Sequence, residues 1–147
     1  MRNRLEKHIK EHNTFHGQAL MEFALLLPIL LVLILGAMDL GRVFYVKTIL
    51  TNAAREGANT LSRYPSDKAA GYPKTLAAIV TEGNSSGVKI STSEVDWAGT
   101  NCCLVGRPVV ITIEKTVNLF FDGFLDAMGI IDGPVTISSS VTMAVQP

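Results

Sequence analysis

The chain has 147 residues, with 13 basic and 13 acidic side chains and a mean hydropathy of +0.30. Hydrophobic residues make up 48% and charged residues only 18%, which excludes a disordered tail or a nucleic-acid binder, since both need high charge and few apolar groups. The zero net charge hides an asymmetry: residues 1–17 hold Arg2, Arg4, Lys7 and Lys10 against Glu6 and Glu11, leaving the remainder net acidic.

From Phe23 to Met38 there are 16 residues without a charge, and Gln18–Glu22 in front extends the run to 21 residues interrupted by one carboxylate. About 20 helical residues cross the 30 Å hydrocarbon core of a bilayer. The basic residues on the N-terminal side keep that end cytoplasmic and export the C-terminus. A cleaved secretory signal has a shorter apolar core and a small-residue cut site. A buried helix of a soluble domain is disfavoured by the missing polar face. Glu22 breaks the apolar pattern, and a carboxylate at this depth needs a partner or a place at the headgroup level. Cleavage after Gly17 creates such a partner, a new α-amino group at Gln18 one turn from Glu22.

The heptad Gly17-Gln18-Ala19-Leu20-Met21-Glu22-Phe23 resembles the processing site of type IV pilin-like precursors. The longer stretch with Pro28, Asp39, Gly41, Arg42 and Ala53-Ala54-Arg55-Glu56-Gly57 resembles the N-terminal signature of the TadE-like family, pseudopilins or minor pilins of the tight-adherence (Flp) pilus. The resemblance implies a processing site at Gly17, Gln18, Glu22 and Phe23. It implies assembly or helix packing through Glu22, Pro28, Asp39, Gly41, Arg42, Arg55, Glu56 and Gly57. The partners it implies are a prepilin peptidase, other pilin or pseudopilin subunits, the Tad inner-membrane assembly platform and membrane lipid. The expected location is the inner membrane, single-pass, and after processing an extracellular pilus.

Past the membrane run, Val43, Val46, Leu50, Ala53, Gly57 and Leu61 recur at steps of three or four and form an apolar stripe. A helix from Gln18 to Leu61 is about 65 Å long, twice what a bilayer needs. Pro28 removes a backbone hydrogen bond, and two outcomes stay open: a kink or local opening, or simple tolerance of proline in a membrane helix. Asp39 and Arg42, three apart, can pair on one face for under about 1 kcal/mol. Arg55 and Glu56 are adjacent and cannot face each other, so partners elsewhere are expected.

Turn formers make 62–73 a loop. A short helix is expected from Lys74 to Thr81, with Leu76, Ile79 and Val80 buried, then a turn at Glu82–Gly87. Val88–Trp97 reads as a first strand and Ala98–Arg107 as a loop. Pro108–Asn118 reads as a second strand, with Val109, Ile111, Ile113 and Val117 on one face. Leu119–Ile131 fits a short amphipathic helix or packed loop. Val135–Val145 alternates clearly as a half-buried antiparallel strand. The expected organisation is a basic leader at 1–17, a transmembrane half-helix at 18–40, an amphipathic half-helix at 41–61 and an extracytoplasmic α+β domain at 62–147. The fold class is α+β and pilin-like, a long N-terminal helix on a small antiparallel sheet of about three strands.

Cys102 and Cys103 are adjacent, and three states stay open: a vicinal disulfide, pairing between chains, or free thiols. His8, His12 and His16 share a helical stripe but precede the cut, so a metal site is not expected there. Asp122, Asp126 and Asp132 lack the spacing of a calcium loop. No glycine-rich phosphate cradle, nucleophile elbow or HExxH pattern is present, so neither catalytic residues nor a cofactor is expected. The function expected is a pilin-like structural subunit in pilus biogenesis and adhesion. The alternatives are an uncleaved bitopic membrane protein with an exported binding domain, or a principal filament subunit. The large von Willebrand-type relatives are excluded by size.

Overall fold

A computed structural model describes residues 14–97, 105–127, 129 and 134–147. Helix α1 runs Thr14–Arg63, α2 Pro73–Ser85 and α3 Asp122–Ala127, with strands β1 Val95–Asp96, β2 Pro108–Val117 and β3 Val135–Ala144. The long helix and three-stranded antiparallel sheet make the α+β architecture expected from the sequence. Two compact units divide between Met38 and Asp39.

The first unit is the apolar part of α1. Its side chains are exposed all round, Leu20, Phe23, Leu25 and Leu33 among them, and the helix is long and apolar enough to cross a membrane. Helical backbone continues through Pro28, so of the two outcomes open from the sequence the proline is tolerated within the helix. Proline withdraws one N–H from the ladder and leaves the neighbouring bonds in place.

The second unit holds the core. The apolar stripe of α1 is buried through Val46, Leu50, Ala53 and Leu61, with Ile49, Ala54 and Ala58 widening it. It lies under the buried face of β2, where Val109, Ile111 and Ile113 are fully covered. β2 is the central strand, paired antiparallel with β1 (Val95↔Ile113) and along its length with β3 (Pro108↔Ala144 to Val117↔Val135). The alternation predicted for both long strands is the observed one. Gly57 lets α1 approach α2, because a Cβ there would meet Ile79 Cγ1 at 2.6 Å. Polar bonds fix the sheet on the helix: Thr51 Oγ1 lies 2.9 Å from Ser139 Oγ, Lys47 Nζ donates to the Ser138 carbonyl, and the Gln146 N–H donates to the Ser62 carbonyl at 3.1 Å.

Three expectations need correction. The 62–73 loop is partly ordered as a 3-10 helix at Pro65–Ala70. The second helix extends to Ser85, so most of the expected Glu82–Gly87 turn is helical. Its end is a Schellman arrangement, with Val88 N–H bonded to the Gly83 carbonyl at 2.9 Å, Gly87 N–H to the Asn84 carbonyl at 3.0 Å, and Gly87 left-handed at φ 76°. Val88–Trp97 is not a strand over its length. Only Val95–Asp96 pairs, after a 3-10 turn at Thr92–Glu94. The Glu94 carboxylate holds that turn by accepting from the Ser91 N–H at 2.8 Å and from Lys115 Nζ on β2 at 2.8 Å.

Asp67 organises the start of α2. Its buried carboxylate accepts from the Thr75 N–H at 2.9 Å, the Thr75 hydroxyl at 2.7 Å and the Lys74 N–H at 3.2 Å, using donors that a helix start leaves free. Burial pushes the carboxyl up, but the Thr75 and Lys74 hydrogen bonds and the Lys74 charge outweigh it and hold the pKa below its ordinary value. A depressed folded-state pKa stabilises the fold above the unfolded value, and that contribution is lost as pH falls through the folded one. Asp67→Asn is expected to remove part of the acid sensitivity below about pH 4 and to cost about 1–2 kcal/mol at neutral pH. Urea titrations of both chains at several pH values check this; parallel pH profiles would refute it.

Candidate processing and assembly site

The predicted processing residues lie on the first unit. Gly17 is in the first turns of α1, with open space where a Cβ would stand. Phe23 is 58% exposed. Glu22 has one polar partner among the described residues, the neutral side-chain amide of Gln18, whose Nε2 donates to Glu22 Oε1 at 3.3 Å. The carboxylate therefore stands in an apolar stretch with no cation beside it among the described residues. Gln18 and Glu22 are on one helix face because four residues make about one turn.

The other predicted residues on the second unit divide into an inward and an outward set. Asp39 is buried at 6% exposure, and its two oxygens accept the Phe120 and Phe121 N–H groups, each at 2.9 Å. Arg42 Nη1 donates to the Asn118 carbonyl at 3.2 Å, and the guanidinium lies 5.8 Å from the centre of the Phe120 ring. The expected ion pair between Asp39 and Arg42 does not form; the one ion pair among the described residues is Lys115–Glu94. Each side chain instead secures the segment that joins β2 to α3. A carboxylate taking two backbone N–H groups is worth more than an exposed pair.

Gly57 packs inward, whereas Gly41 has open space around it. Arg55 and Glu56 are exposed, and their side chains make no hydrogen bond or ion pair among the described residues. Cys102, Cys103 and Asp132 lie outside the described residues, as do His8 and His12. Among the described residues no group of three or more His, Cys, Asp or Glu side chains could hold a metal ion. Sequence reasoning missed the attachment of Asp39 to Phe120 and Phe121, because nothing local links positions 81 residues apart. It also missed Asp67, for which Pro73 at the first turn of α2 was a usable signal.

An apolar, membrane-length helix continuing into the core of a small antiparallel α+β unit fits a single-pass, pilin-like chain. A family model described as TadE-like protein matches residues 17–59, from the first glycine of the processing heptad through the amphipathic part of α1. Over this stretch the chain is similar to the TadE-like family, a family of structural pilus components, and this supports a Tad pilus-associated, pilin-like protein. No curated protein and no solved structure matches the chain.

Proposed function

We propose that this chain is a prepilin-like precursor, cut after Gly17, whose mature form begins at Gln18 and serves as a minor pilin or pseudopilin in Tad pilus biogenesis and adhesion. The basic leader holds the N-terminus in the cytoplasm while α1 stores the subunit in the inner membrane. Removal of residues 1–17 by a prepilin peptidase takes away a charged segment that cannot enter an apolar filament core. The new α-amine at Gln18 then pairs with Glu22 of a neighbouring subunit as helices bundle, guided by the assembly platform. Two dehydrated charges cost several kcal/mol unless paired, so the pairing sets register more than it adds affinity.

The observation that carries this reading is the isolation of Glu22: its only polar partner among the described residues is a neutral amide on the residue that would carry the new amine. The exposed Arg55 and Glu56 supply further charged contacts to other subunits. The length, well beyond a short principal Flp pilin, supports a minor role.

The intact mass of the protein from native membranes and sheared filaments tests the reading. A species starting at Gln18 is expected in cells with an active prepilin peptidase, and full-length chain in a peptidase deletion. Full-length chain in both leaves an uncut bitopic anchor as the better account.

A further inference from the structure

The apolar run ends at Met38, and the next residue, Asp39, holds Phe120 and Phe121 by their backbone N–H groups. With both amides and the Asn118 carbonyl committed to α1, the Phe120 side chain is left 73% exposed. A bulky aromatic is usually buried by its own fold. Here three hydrogen bonds to the Asp39 and Arg42 side chains of α1 fix the backbone so that the ring stays out. Phe44 and Tyr45, on the next turn of α1, are 64% and 57% exposed.

Beside this aromatic group lies a groove of about 360 Å³ lined by Arg42, Tyr45, Lys89, Lys115, Thr116 and Asn118 together with apolar and backbone atoms. Its lining holds three cations and no carboxylate. Glu94 neutralises Lys115 from outside, whereas Lys89 makes no hydrogen bond or ion pair among the described residues. Aromatic rings and cations gathered around Arg42 and Tyr45, within two turns after an apolar span, are the chemistry of a membrane–water interface. A neighbouring subunit could also cover an exposed ring, but it would not account for a carboxylate-free cationic groove lined in part by Arg42 and Tyr45, which follow the apolar run in the sequence.

We propose that this face of the folded unit rests on the headgroup layer of the membrane that α1 crosses, with Phe120 inserted among the lipids and the groove between Arg42, Lys89 and Lys115 holding the phosphate of an anionic phospholipid. The contact gives the folded unit a second hold on the bilayer, separate from the helix. It requires the membrane span but not cleavage or pilus assembly, so an uncut chain makes the same contact.

The test uses the full chain in nanodiscs of phosphatidylcholine with phosphatidylglycerol, doped with a phospholipid carrying a photoactivatable acyl chain. After illumination, peptide mapping is expected to find label on Leu119–Phe121 at about five times or more the level at Tyr64, an exposed aromatic at the far end of α1. Omitting phosphatidylglycerol, or Lys89→Gln, is expected to lower that label about twofold or more. Label on Phe120 no higher than on Tyr64 overturns the proposal. Equal labelling with and without phosphatidylglycerol overturns the headgroup site. Trp97→Phe with Phe120→Trp gives an independent reading, since bromine-labelled acyl chains are expected to quench the new indole; an unquenched indole in a folded chain counts against insertion.

Discussion

Asp39→Ala is expected to release the segment after β2 and to lower the stability of the folded unit by about 3 kcal/mol, because two part-buried N–H groups lose a charged acceptor together. For a unit of this size that is a fall in Tm of about 10 °C. The local readout is sharper. Backbone amides of Phe120 and Phe121 should exchange with deuterium about tenfold faster or more, while those of β2 change only with global stability. Asn at this position keeps one acceptor but turns an amide donor toward the other N–H, so it should recover less than half of the loss. Unchanged exchange at Phe120 and Phe121 in Asp39→Ala would show that the carboxylate is not what holds them. Asp39 thus has a structural role inside the chain, whatever it does in an assembly.

Glu22→Ala is expected to leave membrane insertion intact and to reduce pili by about tenfold or more, since the α-amine of a neighbouring subunit would then enter an apolar core without a counter-charge. Glu22→Gln separates charge from hydrogen bonding. It keeps an oxygen for the Gln18 amide seen at 3.3 Å but carries no charge, and it should fail nearly as badly as alanine. Quantifying sheared filaments against the chain in the membrane fraction decides the matter. Pili of normal number and length in Glu22→Ala would sink the charge-pairing mechanism while leaving cleavage after Gly17 untouched.

The contrast between these two carboxylates shows where sequence reading reaches its limit. Glu22 was conspicuous because an apolar run surrounds it, and the helix itself fixes its relation to Gln18. Asp39 was equally visible as the end of that run, yet its partners lie on a segment that only the finished fold brings near. β2 and β3 could be read from period-two alternation because each has one covered face. Val88, Ile90 and Val95 show a similar apolar pattern and are buried, but their backbone turns through Thr92–Glu94 instead of pairing. Burial sets such a pattern, and a loop lying on a core satisfies it as well as a strand does. The Ser91-Thr92-Ser93-Glu94 spacing was the local sign of that turn. The extension of α2 was hidden by Gly83, which reads as a breaker. It lies inside the helix because a Cβ there would stand 2.7 Å from the Val88 carbonyl oxygen.

The core of the second unit joins the two ends of its sequence. The stripe of α1 is made early, whereas β3, which pairs along β2, and Val145, which closes the same core, come almost last. Contacts between distant parts of a chain cannot form until both parts are available. During synthesis the uncovered stripe must therefore wait for nearly the whole polypeptide to emerge. The helix can enter the bilayer long before the unit beyond it is able to fold, so insertion and folding of this protein are successive events, with an interval between them in which its apolar surface needs protection.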